Sequence, residues 1–251
     1  MSPPLDGKIA LVTGASRGIG RAIARKLAGA GCDVAAGYFN SHREAEALCD
    51  EVREVGRKAE PFQVNVGDPE SVARMIDACG AAFGALDIVV SNAASGVLRS
   101  AQELTLKHWR WCLEVNALAL HSLVTRAAPL LREGASVVAL SSLGAARALP
   151  DYAFVGASKA ALESLVRALA FELGTRGVRV NAVSAGVVDT DALKAFPARE
   201  TLIAEFERRA PSGSILSAAD VADAVYLLCL PEARRITGHT LVVDGGYSIV
   251  G

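Results

Sequence analysis

Lys8-Ile9-Ala10-Leu11-Val12-Thr13-Gly14-Ala15-Ser16-Arg17-Gly18-Ile19-Gly20 is the stretch that decides the fold. An apolar run without polar alternation leads straight into a glycine cluster, and a segment of helical period follows. A strand that reads apolar on both faces is one covered by helices on both sides, as in parallel sheets. Glycines at such a strand-to-helix turn let the backbone bend sharply and approach a pyrophosphate, with the first N–H groups of the helix aimed at it. The spacing here is G-x3-G-x-G rather than G-x-G-x-x-G, and an ordinary tight turn would also carry such a cluster.

The same alternation runs outward from this stretch. Lys8–Thr13, Asp33–Tyr38, Lys58–Val64, Leu86–Ser91, Ala135–Ser141, Val178–Ser184 and Thr240–Val243 read as strands, with helical stretches between them. The expectation is an α/β fold: a single-domain, doubly wound, seven-stranded parallel sheet of Rossmann-like type spanning 1–251. No linker-like tract or repeat divides it. Residues 185–217, where Pro197 and Pro211 flank a mixed helical segment, are the least regular part. Ligands of open α/β sheets bind beyond the carboxyl ends of the strands, so this segment after the sixth strand is expected to form a lid.

Composition narrows the function. The 251 residues carry 26 Lys plus Arg against 27 Asp plus Glu, which leaves no global field for nucleic acid or an anionic membrane. Apolar stretches are broken well before about 18 residues and no basic-then-apolar leader is present, so a cytoplasmic protein is expected. The five cysteines form no C-x-x-C pair and the histidines no H-E-x-x-H, which argues for a reducing compartment and against a metal.

The second strand speaks to the choice of dinucleotide. An enzyme that prefers NAD places an acid about 20 residues past the glycine loop, at the end of that strand. Tyr38-Phe39-Asn40 stands there instead, and Asp33 opens the strand at its wrong end. Arg17, with Asn40, Ser41 and Arg43, would meet a 2′-phosphate, which guanidinium pairs bidentately. NADPH is therefore the expected cofactor; the alternative is that Arg17 and Arg43 are solvated surface charges.

Together with residues farther along, the chain resembles the short-chain dehydrogenase/reductase family over nearly its whole length. Thr13-Gly14-x3-Gly18-Ile19-Gly20 matches the family's cofactor loop, and Asn92-Ala93-Ala94 stands where the family carries N-A-G. Asn116, Ser142 and Lys159 occupy expected positions, and Asp244-Gly245-Gly246 closes the chain in the family's manner. Ala94 and Ala185 depart from the pattern at backbone-shaping positions. The larger departure is Val155, four residues before Lys159, where most members place their tyrosine; Tyr152 stands seven before it. Tyr-x6-Lys is similar to the enoyl-acyl-carrier-protein reductases. Ser91–Arg99, Asp189–Lys194 and Asn65-Val66 resemble their NADPH-dependent type III branch.

That resemblance implies Tyr152, Lys159, Ser142 and Asn116 as the catalytic set. It implies cofactor contacts from Gly14, Ser16, Arg17, Gly18, Ile19, Gly20, Asn65, Val66, Asn92, Ala93 and Lys159, and from Gly186, Val188 and Thr190 at the nicotinamide. On a helix, spacings of four and seven keep two side chains on one face, and three residues shift a side chain by about 4.5 Å along the axis. In conjugate reduction the hydride lands two bonds from the carbonyl carbon, so a tyrosine one turn farther out suits an enoyl thioester better than a ketone. The expected reaction is NADPH-dependent reduction of the trans-2 double bond of an enoyl thioester, with a carbonyl reductase or a noncatalytic NADPH-binding regulator as alternatives.

Leu193, Phe196, Leu202 and Phe206 would line an acyl tunnel or simply close the core. The resemblance implies an acyl-carrier-protein partner, which Lys194, Arg199, Arg208 and Arg209 would receive unless they form a solvated face. It also implies a homotetramer or homodimer, built on the apolar stretches Leu118–Leu131 and Ala160–Leu173.

Overall fold

In the computed structural model, which describes residues 2–194 and 199–250, the seven expected strands form one parallel sheet. The elements are β1 (Ile9–Thr13), α1 (Gly18–Gly29), β2 (Asp33–Tyr38), α2 (His42–Glu54), β3 (Ala59–Gln63), α3 (Pro69–Phe83), β4 (Leu86–Ser91), α4 (Leu106–Leu113), α5 (Ala119–Ala127), β5 (Leu131–Ser142), α6 (Ala153–Leu173), β6 (Arg179–Ala185), α7 (Asp191–Lys194), α8 (Arg199–Arg209), α9 (Ala218–Cys229) and β7 (Thr240–Val243). The spatial order β3-β2-β1-β4-β5-β6-β7 reverses direction between β1 and β4. Connections leave those two strands to opposite sides, and a crevice opens beyond their carboxyl ends.

The unalternating apolar run of β1 has a direct explanation. Ala10 and Val12 pack with Ile23 and Leu27 of α1 and Val221 and Val225 of α9 on one face. Ile9 and Leu11 pack with Ile76 of α3 and Leu120 and Leu123 of α5 on the other. Successive side chains point to opposite faces, so both residue sets must be apolar.

The amino ends of the strands are tied by a buried carboxylate. Asp87 of β4, 4% exposed, accepts from Ile9 N at 3.0 Å, Lys8 Nζ at 2.9 Å and Arg132 Nη1 at 2.8 Å. Arg132 belongs to β5, which begins at Leu131 rather than at Ala135. Leu131 pairs with Leu86 before a register shift, and the exposed Arg132-Glu133-Gly134 between hides that pairing in the sequence. Asp33 accepts from Lys58 N and Arg57 Nε at the amino end of β2, away from the glycine loop as expected.

Two helix expectations are corrected. The stretch Leu118–Leu131 is not one helix: a π-helical turn, Glu114–Leu118, precedes α5, and a 3-10 turn, Ala128–Leu130, carries Pro129 into β5. Tyr152 is the N-cap of α6 (φ −117°, ψ 9°), so it stands just before the helix that carries Lys159 rather than on it.

After β6 come α7 and α8, and Val188 pairs with Leu216 in an isolated parallel bridge outside the sheet. The carboxyl-terminal tail lies against this segment. Tyr247 stacks on Phe206 at 4.9 Å, and Arg209 lies over the Tyr247 ring and donates to Val250 O at 3.0 Å. From the other side Arg147 donates to Ser248 O. No helix among the described residues is long and apolar enough to cross a membrane.

Candidate active site

The crevice at the reversal point begins with a clamp. Thr13 Oγ1 accepts from Asn92 N at 3.0 Å and Ala93 N at 3.1 Å, while Asn92 Nδ2 donates to Thr13 O at 2.9 Å and Gly14 O at 3.2 Å. A side chain at Gly20 would overlap Gly14 O, so the first turn of α1 beds directly on the loop. The side-chain amide of Asn92, expected at the cofactor, is thus engaged in fixing the glycine loop.

From this clamp a cleft of about 520 Å³ passes the end of β2 and the β3 loop to Ser95 and Thr190. Every residue expected to hold the cofactor lines it except Arg43, Lys159, Gly186 and Val188. Arg43 is exposed in the first turn of α2. Gly186 N donates to Val243 O at 2.9 Å, and Val188 holds the bridge to Leu216; both anchor the segment that brings Thr190 to the cleft. Asn65 Oδ1 accepts from Gly67 N at 3.2 Å and shapes its own turn. Arg17 is the exposed N-cap of α1, and its charge, after the larger effect of Lys194, helps hold the Asp191 carboxyl below its ordinary range.

At the end of β5 a second group assembles. The Tyr152 ring lies on the backbone of Gly144, where a Cβ would come within 2.5 Å of the ring carbons Cδ1 and Cε1. Ser142 Oγ accepts from Gly144 N at 3.2 Å and is hydrogen-bonded to Tyr152. Burial pushes the phenol up from its ordinary value, the Ser142 hydrogen bond pulls it down, and Cys112 adds a smaller upward effect. The downward influence therefore comes from Ser142 and not from Lys159.

Lys159, 6% exposed, donates from Nζ to Leu140 O at 2.7 Å, and burial pushes its ammonium down to about 8. One turn on, Ser141 Oγ donates to Glu163 Oε1 at 2.5 Å, a second pin between β5 and α6 that the sequence reading missed. Only the four-residue interval from Lys159 to Glu163 hints at it. Asn116, 2% exposed in the π-helical turn, does not join this group; its amide bonds Ser95 N and O and Ser158 Oγ, each at 2.9 Å.

The segment after β6 answers other expectations. Phe206 is 1% exposed, packed on Gly186 and Tyr247, so it closes the core instead of lining an opening. Leu193 is buried, Leu202 half-buried, and Phe196 lies outside the described residues. Lys194 pairs with Asp191 at 2.7 Å and Arg208 with Glu205 at 2.8 Å, while Arg209 stands 3.6 Å from Glu205.

The family model described as enoyl-(acyl carrier protein) reductase matches residues 14–248. A short chain dehydrogenase from Burkholderia cenocepacia, solved in complex with NADP, superposes with a TM-score of 0.92 at 39% identity, covering 98% of this chain and 99% of that one. The chain belongs to the short-chain dehydrogenase/reductase family. As a short-chain dehydrogenase/reductase it is an oxidoreductase, and its relatives carry the names of different reductases. It is 36% identical over 249 residues to the 1-cyclohexenylcarbonyl-CoA reductase of Streptomyces collinus, covering 97% of this chain and 88% of that protein. It is 35% identical over 243 residues to a 3-oxoacyl-[acyl-carrier-protein] reductase of Staphylococcus aureus, covering 95% and 97%.

Proposed function

We propose that this oxidoreductase reduces the trans-2 double bond of an enoyl thioester, carried on acyl carrier protein or coenzyme A, with NADPH. The observation that carries the reading is the seat of Tyr152: a phenol resting on Gly144 beside Ser142, with Val155 at the place where the family resemblance implies a tyrosine. The residues fit the cofactor. Lys159 presents a buried ammonium with three N–H donors and one acceptor, Leu140 O, among the described residues, which suits a ribose diol. Arg17, Asn40 and Ser41 line the cleft where a 2′-phosphate would stand, and no acid ends β2.

When bound, the reduced nicotinamide would supply the hydride for the β-carbon; the electron pair of the double bond then moves onto the thioester oxygen as an enolate, which takes up a solvent proton at the α-carbon. Tyr152 O–H donates a hydrogen bond to the thioester oxygen as negative charge develops there, a placement that contributes several kcal/mol in such sites. Ser142 orients that phenol and lowers its pKa, which eases proton donation. Lys159 holds the ribose, and Asn116 ties Ser95, at the cleft, to the buried Ser158 of α6. Thr190, on the segment that Gly186 and Val188 anchor, positions the nicotinamide carboxamide, and the described residues of that segment after β6 cover the acyl chain.

A second reading, reduction of a 3-oxoacyl or other carbonyl, is favoured by the Ser142–Tyr152 pair, since two hydroxyls converging on one oxygen also suit a ketone. NADPH consumption measured in parallel with a medium-chain trans-2-enoyl thioester and the matching 3-oxoacyl thioester, with products identified by mass, separates the two. Turnover of the oxo substrate alone would overturn the enoyl reading. In this reading a second copy covers Trp111, Leu118 and Phe171, which α4, the π-helical turn and α6 leave exposed.

A further inference from the structure

Gly96 lies in the stretch after β4, and three contacts fasten that stretch to the start of α6. Ser95 exchanges two hydrogen bonds with Asn116, which also reaches Ser158, the residue before Lys159. Arg99 N donates to Asp151 O at 3.1 Å, the residue before Tyr152. Between them Gly96 approaches Val155 so closely that a Cβ on it would overlap Val155 Cγ2 and stand 3.4 Å from Cys112 Sγ. Val155 is 7% exposed and Cys112 fully buried, and a helical valine holds one strongly preferred rotamer, so neither has room to yield.

The turn into Tyr152 draws support from outside as well. Asp151 is the one non-glycine residue among those described with a left-handed backbone (φ 57°), a conformation that aspartate tolerates better than most residues, and its carbonyl accepts from Arg99 N. The stretch 95–99 supplies that support.

We propose that Gly96 and Val155 form a positioning contact. The missing side chain at 96 lets the stretch bed on Val155, and that bedding sets the first turn of α6 and hence where the Tyr152 hydroxyl stands. The inference rests on the reading that this hydroxyl bonds the substrate oxygen. Val155 then has a duty of its own: it is the floor on which the stretch lies.

The test compares Gly96→Ala, alone and combined with Val155→Ala, in the full chain, with thermal melts to verify folding and fluorescence titration for NADPH affinity. Gly96→Ala is expected to lower kcat by about 10²-fold, the cost of a displacement of about 1 Å, with NADPH affinity little changed and the alkaline limb of the pH profile moved. Removing Cγ2 through Val155→Ala in that background should return about tenfold of the loss. Should Gly96→Ala not fold, Val155→Ile presses on the same contact from the other side and should lower kcat alike. Wild-type turnover in Gly96→Ala, or a folded double variant no faster than it, overturns the proposal. If the wild type reduces neither thioester, the proposed function falls, and the contact is read from the phenol itself. Ultraviolet titration of each protein against its Tyr152→Phe counterpart should then show a pKa that Gly96→Ala shifts and the double variant restores; a pKa that stays put rejects the contact.

Discussion

Burial holds the Lys159 ammonium at about 8 against an ordinary 10.5, so between those values the folded chain binds fewer protons there than the unfolded one. Stability without cofactor must therefore rise with pH across that window, by about 3 kcal/mol for this residue. Urea melts of wild type and Lys159→Met from pH 7 to 11 (roughly the window plus a margin) should show the difference between them growing in favour of the wild type; a constant difference contradicts it. Ser142→Ala removes the one influence that lowers the Tyr152 phenol, so the alkaline limb of kcat should move to higher pH. Tyr152→Phe should lower kcat by about 10² to 10⁴-fold and leave NADPH binding intact, whereas a regulator's ligand response would survive the change. The reacting residues were legible because tyrosine, lysine and serine announce chemistry at a spacing. What holds them was not: Gly144 under the ring and Gly96 against Val155 are ordinary glycines until a partner from a distant stretch of chain is seen to approach them.

At the level of elements, the inner strands were legible nearly to the residue, since burial on both faces leaves an unbroken apolar run, while the half-exposed edge strand β3, Ala59-Glu60-Pro61-Phe62-Gln63, was placed by its position in the alternation. The amino end of β5 was the exception, because its first contact with β4 is made across exposed residues. Asp87 gathers that corner, and Asp87→Ala should cost about 2 kcal/mol in denaturant melts, the loss of a charge-assisted acceptor whose cations stay half-solvated. Turnover should change little, because the corner lies at the opposite end of the sheet from Tyr152. The broken helix around Asn116 was illegible for a related reason. Its apolar pattern continues through Glu114–Leu118, while the hydrogen bonds that reshape it go to Ser95 and Ser158, both remote in sequence.

Taken as a whole, the molecule keeps all five thiols inside. Burial pushes Cys32, Cys79 and Cys229 up to about 12 and Cys49 to about 11, so none is nucleophilic at neutral pH. A disulfide reagent should find no reactive thiol in the native protein and all of them after denaturation; prompt native labelling would contradict the packing. The two chain ends also differ in a practical way. Leu5 is buried and donates to Ala30 O, on the side of the sheet remote from the cleft. The carboxyl-terminal turn is instead wedged between Arg147, eight residues after which the α6 floor begins at Val155, and Phe206 with Arg209 of α8. A bulky label placed on Tyr247 or Ser248 would therefore pull on α8 and on the turn that precedes α6 at once, whereas one beside Leu5 would disturb neither, which makes the early residues the place for a reporter in kinetic work.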